Sequence, residues 1–320
     1  MQLEDVLTSL QVIELPLRSK FRGLTKREVA LFKGNIGWAE FSPFIEYGDQ
    51  ESKNWLNSAV EAATVNFSKN RDKVLVNGTI PDTDDEREIA ELIELYRGAN
   101  VFKVKVGNNL QRELIRLARV RKYAPNAKLR IDVNGAWSVQ DAVLNIRAIY
   151  GEVAGTFLEY VEQPVATLNE SIELKAKLGI DVKIAVDEVL RKSNAPLELD
   201  LSEAADILVL KVAPLGGIAK ALEISERHRL PVVVSSALES AVGVTHGLRL
   251  AAALPDLQYA SGVATGKLFS EDVAQHEIKD GYLRVVAPEI DEARLARFKV
   301  SKERLEWWRE RIKRVWEVAR

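Results

Sequence analysis

The fold is decided by residues 101–134, which read VFKVKVGNNLQRELIRLARVRKYAPNAKLRIDVN. The run Val101–Val106 alternates as a strand does, and a second β-branched run follows at Leu129–Val133. Between them, Arg112–Lys122 has the spacing of a charged amphipathic helix. A strand, a helix and a strand within about 30 residues predict two parallel strands joined by a right-handed crossover.

Similar units extend on both sides of this stretch. The apolar runs are Val74–Val76, Val101–Val106, Leu129–Val133, Phe157–Val161, Val182–Val186, Ile207–Leu210, Pro231–Val234 and Leu257–Ala260. Helical segments such as Asp141–Gly151 bridge them, and eight βα units close into a barrel. We therefore predict the α/β class, with a modified TIM barrel of the (β/α)7β type over residues 73–267. An open doubly wound sheet is the alternative, but no GxGxxG follows an early strand.

The two ends of the chain have a different pattern. A small α+β capping domain over residues 1–72 is predicted, with a helix near residues 51–70. Its predicted parts are the strands Val12–Leu15, Glu28–Phe32 and Gly37–Phe41, with a polar loop at Arg18–Gly23. Residues 268–320, with a strand at Gly281–Val286 and a helix at Ser301–Arg320, are expected to pack back on this domain.

Composition narrows the class of partner. The 320 residues include 45 basic and 47 acidic side chains and no cysteine, so thiolate metal sites and cysteine nucleophiles are excluded. The near balance of charge favours neither nucleic acid nor a membrane surface. No signal peptide and no run of about 18 apolar residues is found, so a cytoplasmic protein is expected. We expect a small-molecule carboxylate as substrate, and no obligate protein partner is inferred.

Acidic residues end three consecutive strands of the predicted barrel. Asp132, Glu162 and Asp187 follow the third, fourth and fifth apolar runs. Strand ends in a barrel face one shared cup, and neighbouring strands are about 4.8 Å apart. Three carboxylates without His or Cys are ligands suited to Mg²⁺, with Mn²⁺ as a possible substitute. The sequence therefore predicts a magnesium site and no organic cofactor.

Lysines lie on either side of these acidic strands. Lys105 precedes them and Lys211 follows them, which predicts opposed positions across the barrel mouth. Neighbouring positive charge lowers the pKa of a lysine, so one of the two could act as a general base. The metal would then stabilise the enediolate formed when a proton leaves the carbon beside a carboxylate.

Other readings of these residues compete with catalysis. A single charged residue at a strand end is usually a surface or loop-capping residue. Charged residues at the ends of five successive strands favour a site, because buried unpaired charge is costly. Ser235-Ser236 could bind substrate or cap a helix, and Gly216-Gly217 could bind phosphate at a helix N-terminus or form a plain turn.

These motifs resemble the muconate-lactonising subgroup of the enolase superfamily. The phrases KVK, RIDVNGAW, YVEQP, DE, LKVAPLGG and SSALESAVG carry the resemblance, which covers the whole chain. It implies that Lys105 is the base, that Lys211 stabilises the enediolate, and that the three acids bind Mg²⁺. It further implies that a set of residues lines the site or contacts substrate, namely Lys103, Arg130, Asn134, Ser235, Ser236 and Gly262. The loop Arg18–Gly23 would close over the ligand.

Within the subgroup, the short chain and these phrases favour a syn dehydratase in which Lys105 also helps hydroxide to leave. A racemase of N-acylated amino acids and a muconate cycloisomerase share the same lysines and stay open as alternatives. No His/Asp dyad follows strands six and seven, which counts against the mandelate-racemase type. The segment Tyr259–Val263 lacks the Asp-x-Asp of dipeptide epimerases. A non-catalytic barrel that binds a ligand is a further alternative.

Overall fold

The computed structural model describes residues 1–320. The strands are β1 (Gln11–Phe21), β2 (Leu24–Lys33), β3 (Trp38–Phe41), β4 (Lys73–Leu75), β5 (Gly78–Ile80), β6 (Val101–Lys105), β7 (Lys128–Asp132), β8 (Leu158–Glu162), β9 (Ile184–Val186), β10 (Ile207–Lys211), β11 (Val232–Ser235) and β12 (Tyr282–Arg284). The helices are α1 (Leu3–Ser9), α2 (Asp49–Thr64), α3 (Glu86–Leu95), α4 (Leu110–Tyr123), α5 (Val139–Glu152), α6 (Leu168–Leu178), α7 (Glu188–Arg191), α8 (Val212–Leu215), α9 (Ile218–His228), α10 (Ala241–Ala253), α11 (Glu292–Arg297) and α12 (Lys302–Ala319). None of these helices combines the length and the apolar character that crossing a membrane requires.

The central sheet is parallel, and its strands follow one another in chain order. Strands β5 to β11 pair side by side in sequence, and a helix lies between each pair of neighbours. A doubly wound sheet would reverse its strand order at one point, and this sheet does not. The predicted barrel-type α/β fold is therefore confirmed, and the doubly wound alternative is wrong.

Two residues close the ring where an eighth strand was predicted. Ser261 bridges Val76, and Gly262 bridges Ser235 at the end of β11, both in parallel orientation. Gly262 N donates to Val234 O at 2.8 Å. The predicted strand Leu257–Ala260 is wrong in position, because the pairing begins one residue later and lasts only two residues.

The first predicted barrel strand is also misplaced. The run Val74–Val76 overlaps β4, which pairs antiparallel with β12, and only its last residue, Val76, reaches the parallel ring through its bridge to Ser261. The parallel sheet begins at β5, where Gly78 pairs with Phe102 of β6. A three-residue apolar run is compatible with either kind of pairing, because its periodicity does not specify its partner.

The N-terminal strands form the predicted antiparallel meander in the order β1, β2, β3. The predicted loop Arg18–Gly23 is instead the end of a hairpin, with β1 continuing to Phe21. Only Arg22 and Gly23 form the turn, with φ of 50° and 81°, as two-residue hairpin turns require. Sequence reasoning took the polar residues here as a loop, although they are the exposed face of a strand that extends beyond the core.

The C-terminal helix packs on the N-terminal region. Trp308 Nε1 of α12 donates to Glu28 Oε2 of β2 at 2.6 Å. Arg311 Nη2 donates to the carbonyl of Phe44 at 2.9 Å. These contacts agree with the expectation that residues 268–320 return to the first domain, while the boundaries at 72 and 267 stay predictions.

Candidate active site

The three predicted acidic residues are buried together at the ends of adjacent strands. Asp132 ends β7 and pairs with Glu162 at the end of β8, while Asp187 directly follows β9. None is more than 1% exposed. Buried carboxylates need compensating positive charge, and the neighbouring strand ends provide it.

Two lysines of β6 compensate Asp132 and Glu162. Lys103 Nζ lies 3.0 Å from Asp132 Oδ2 and 3.0 Å from Glu162 Oε1. Lys105 Nζ lies 2.6 Å from Asp132 Oδ2 and donates to Asn134 Oδ1 at 2.8 Å. The alternation of β6 places both ammonium groups on the same face, as the Lys-x-Lys pattern predicts.

Asp187 has its own cationic partners on the opposite side. Lys211 Nζ donates to Asp187 Oδ2, and Arg191 Nε donates to Asp187 Oδ1 at 3.1 Å. Lys105 and Lys211 thus flank the carboxylates from β6 and β10, with three strands between them. This is the opposed arrangement that the order of motifs predicts.

The two flanking lysines differ in acidity. Burial lowers the pKa of Lys105 despite its ion pair with Asp132, and the nearby Lys103 and Lys211 add to the lowering. Burial also disfavours the charged form of Lys211, but Asp187 outweighs it and the pKa of Lys211 is raised. Burial, and then the charge of Asp132, raises the pKa of the Glu162 carboxyl to about 7.

The donor chemistry of this cluster fits a hard divalent cation. Asp132, Glu162 and Asp187 offer only carboxylate oxygens, the ligand type that Mg²⁺ prefers. In the structure they point toward the lysines, and no three His, Cys, Asp or Glu side chains gather in a metal-binding arrangement. The residues therefore fit Mg²⁺ by type and burial, and their convergence on one ion stays a prediction.

A cavity of about 600 Å³, including its open mouth, lies directly over the cluster. Most of the predicted catalytic and substrate-binding residues line it, namely Lys103, Lys105, Asn134, Lys211, Ser235, Ser236 and Gly262. A Cβ added at Gly262 would lie 2.8 Å from Ser235 Oγ, so a larger residue here would displace the Ser235 hydroxyl. The three carboxylates lie just behind the lysines that face the cavity.

Arg130 is the exception among the predicted substrate-contacting residues. It is fully buried two residues before Asp132 on β7, one layer deeper in the barrel, and does not line the cavity. Arg130 Nε donates to Glu159 Oε2 at 2.6 Å, and Nη1 donates to Ala260 O at 2.7 Å. The alternation of the strand correctly predicts that the side chain points inward, but it does not predict how deep.

Sequence reasoning missed the residues that roof the cavity. Phe44, Tyr47 and Trp55 line it from the N-terminal region, together with Phe21 and Arg22 of the predicted closing segment. Short-range patterns could not identify the first three, because they approach the barrel only through tertiary packing.

Arg191 and Glu188 also line the cavity; Arg191 was not predicted, and Glu188 was noted only within the DE phrase, without a role. Arg191 lies one helical turn after Asp187 and donates to Glu188 Oε1 at 2.9 Å. Its i, i+4 spacing from Asp187 was a signal that could have identified it.

The sequence matches two family models, enolase N-terminal domain-like over residues 12–63 and enolase C-terminal domain-like over residues 86–318. The chain therefore belongs to the enolase superfamily. This confirms the resemblance on which the site prediction depends.

Curated relatives are similar over nearly the whole chain. The o-succinylbenzoate synthase of Mycolicibacterium smegmatis is 45% identical over 315 residues, covering 97% of this chain and 96% of that protein. The o-succinylbenzoate synthase of Mycobacterium tuberculosis is 45% identical over 316 residues, covering 97% and 94%. The prediction of an enzyme of the carbon–oxygen lyase class is confirmed.

Solved structures agree in fold. The muconate lactonizing enzyme of Pseudomonas putida is 19% identical, with a TM-score of 0.73 over 91% of this chain and 98% of that chain. The muconate lactonizing enzyme of Pseudomonas fluorescens, complexed with muconolactone, is 20% identical with a TM-score of 0.74 and the same coverage. At such low identity the likeness establishes the fold alone.

Proposed function

We propose that this chain is an o-succinylbenzoate synthase that depends on Mg²⁺. It would catalyse the syn dehydration of 2-succinyl-6-hydroxy-2,4-cyclohexadiene-1-carboxylate to 2-succinylbenzoate, in menaquinone biosynthesis. The observation that carries the proposal is the pair of opposed lysines, Lys105 and Lys211, flanking three buried carboxylates at the floor of one cavity. The 45% identity to curated synthases supports the choice of reaction.

The chemistry of the reaction assigns separate roles to the two lysines. Neutral Lys105 would take the proton from the carbon beside the substrate carboxylate, and its lowered pKa favours this neutral form. The ammonium of Lys105 would then return that proton to the departing hydroxide, which leaves as water. Lys211, whose pKa is raised, would remain an ammonium and stabilise the enediolate.

The cavity suits a substrate that carries negative charge. Five cationic side chains and one carboxylate line it, namely Arg22, Lys103, Lys105, Arg191, Lys211 and Glu188. Mg²⁺ held by Asp132, Glu162 and Asp187 would stabilise further negative charge on the substrate carboxylate. A dicarboxylate such as the proposed substrate offers two groups to this surplus of positive charge.

The first experiment measures turnover of the proposed substrate by purified protein with Mg²⁺. Wild type is compared with Lys105→Ala and with enzyme treated with EDTA. Efficient dehydration that both treatments abolish would support the proposal. If wild type leaves the compound unchanged, the synthase assignment fails.

Assays with other substrates separate the alternatives that share the lysines. An N-acylamino acid racemase would exchange the α-proton of N-succinyl amino acids with D₂O, while a muconate cycloisomerase would act on muconate or muconolactone. Both alternatives use proton transfer at a carbon beside a carboxylate, so Lys105→Ala would abolish either activity. Cytoplasmic location stays a prediction from the sequence.

A further inference from the structure

A carboxylate of the N-terminal region caps barrel helix α9. Glu61 lies on α2, and its Oε1 accepts a hydrogen bond from the backbone N–H of Ile218, while Oε2 accepts from Ala219 N at 3.2 Å. The N-cap residue of α9 is Gly217, which has no side chain to satisfy these N–H groups. A carboxylate there also interacts favourably with the helix dipole. The chain's own Glu61 thus occupies the N-terminus at which Gly216-Gly217 could have bound phosphate.

A second carboxylate makes the same kind of contact at the next barrel helix. Glu40 lies on β3, and its Oε2 accepts from Ser240 N at 3.1 Å and from Gly243 N at 3.0 Å at the start of α10. Glu40 is only 8% exposed and also accepts from the Ser240 hydroxyl. Two separate elements of the N-terminal region therefore bind two successive helices of the barrel in the same way.

The close approach of each carboxylate depends on a glycine. A Cβ added at Gly217 would lie 2.5 Å from Glu61 Oε1, and one added at Gly243 would lie 2.7 Å from Glu40 Oε2. Both distances are shorter than van der Waals contact. His246 of α10 further holds Glu61, with Nε2 3.1 Å from Glu61 Oε1.

These contacts join the floor and the roof of the proposed active site. Helices α9 and α10 follow β10 and β11, whose last residues, Lys211 and Ser235, line the cavity from the barrel. Trp55 of α2 lies six residues before Glu61 on the same helix and lines the same cavity from above. A shift of α2 on α9 would therefore change the distance between roof and floor.

We infer that Glu61 and Glu40 are positioning residues that fasten the N-terminal region to the barrel and thereby set the height of the cavity roof. Neither residue lines the cavity, and both act through the placement of the aromatic roof and the hairpin of β1 and β2. The kinetic consequence rests on the proposed synthase function, while the structural consequence does not.

The test compares Glu61→Ala with Glu51→Ala in the full-length protein. Glu51 is an exposed glutamate on the same helix that does not line the cavity, so it controls for loss of a charge. Glu61→Ala is expected to raise KM at least about tenfold while kcat changes less than about threefold, because binding is lost more than chemistry. Trypsin should also cut the hairpin faster at the exposed sites Arg18, Lys20 and Arg22.

The conservative variant Glu61→Gln keeps one oxygen acceptor and should give a smaller rise in KM than Glu61→Ala. If Glu61→Ala does not fold, Glu61→Gln takes its place in the comparison with Glu51→Ala. If Glu61→Ala and Glu61→Gln match Glu51→Ala in KM and in trypsin cleavage, and differ only in thermal midpoint, Glu61 merely stabilises α9 and the inference is overturned. A fall in kcat with unchanged KM would also overturn it.

Failure of the proposed function would be separately visible. If wild type does not dehydrate the proposed substrate, the KM values cannot be compared. The rates of trypsin cleavage still test whether Glu61 fastens the N-terminal region to the barrel. Faster cleavage of the hairpin in Glu61→Ala than in Glu51→Ala supports the inference, and equal cleavage rejects it.

Discussion

Two clusters of charge, each centred on buried side chains, lie next to each other in this barrel, and they are built differently. One surrounds Arg116 of α4, whose side chain is fully buried. Its Nη1 donates to the carbonyl of Lys105 at 2.8 Å, and Nε donates to Thr83 O at 2.7 Å. Its other partners are the carboxylates of Glu113, Asp82 and Asp84. The arginine thus has backbone and acidic partners on every side and has no opening to the cavity.

The other cluster is the group of lysines and carboxylates at the strand ends. There each lysine faces the cavity while it binds a carboxylate behind it. A bound substrate could pair with the lysines, and a bound cation with the carboxylates, without leaving a buried charge unpaired. The difference teaches that burial of charged side chains does not by itself identify a functional site. Access of those side chains to a cavity does.

The sharpest test of the comparison is Lys105→Ala. We expect kcat/KM to fall at least about 10³-fold, the order contributed by a general base that also acts as the acid. We expect the free energy of unfolding to change by less than about 1 kcal/mol, because Lys103 remains 3.0 Å from Asp132. Dehydration kinetics and urea unfolding measure the two quantities. A large loss of stability would mean that this cluster is structural like the other.

Removal of the metal should have a comparable effect on activity. Enzyme treated with EDTA should lose at least about 100-fold in kcat, and Mg²⁺ or Mn²⁺ should restore it. Mg²⁺ should also raise the thermal midpoint of wild type, because a ligand that binds only the folded state stabilises it. Glu162→Gln should lose this rise. A rise that persists in Glu162→Gln would place the ion elsewhere.

Substitution in the Arg116 cluster should mainly lower stability, in contrast to Lys105→Ala, which should mainly lower activity. Arg116→Leu is expected to lower the free energy of unfolding by about 3–5 kcal/mol, because it leaves Glu113 buried without its cation. Urea unfolding measures the loss. The double variant Arg116→Leu/Glu113→Leu should recover part of it, since no buried charge then remains unpaired. If the double variant is less stable than Arg116→Leu, Glu113 stabilises the fold independently of the arginine, through the hydrogen bond that it accepts from Gly107 N.

Sequence reasoning could predict the strand-end cluster because it depends on local order. Asp132, Glu162 and Lys211 each end a strand, and parallel strands bring such ends together. The closure of the barrel at Ser261 and Gly262 was misplaced by one residue, because a two-residue pairing has no periodicity to detect.

The contacts between the N-terminal region and the barrel could not be predicted in the same way. Glu40 and Ser240 lie 200 residues apart, and nothing near either residue in the sequence indicates the other. The depth of Arg130 in the barrel could not be predicted either. Alternation along a strand shows which face a side chain is on, but not how far it lies from the barrel mouth. What could be predicted is set by hydrogen bonding along the chain and between neighbouring strands, and what could not is set by packing between distant segments.

The smallest expected effect concerns Glu239, a buried carboxyl outside both clusters. Burial, and then the charge of Glu40, raises its pKa to about 7, although Arg27 opposes the shift. A carboxyl whose pKa is raised on folding leaves stability intact below its unfolded pKa of about 4.3, and stability falls as pH rises toward 7. The free energy of unfolding of Glu239→Gln, relative to that of wild type, should therefore rise by on the order of 1–3 kcal/mol between pH 5 and pH 8. Parallel curves of thermal midpoint against pH for the two proteins would show that Glu239 is already ionised at pH 5.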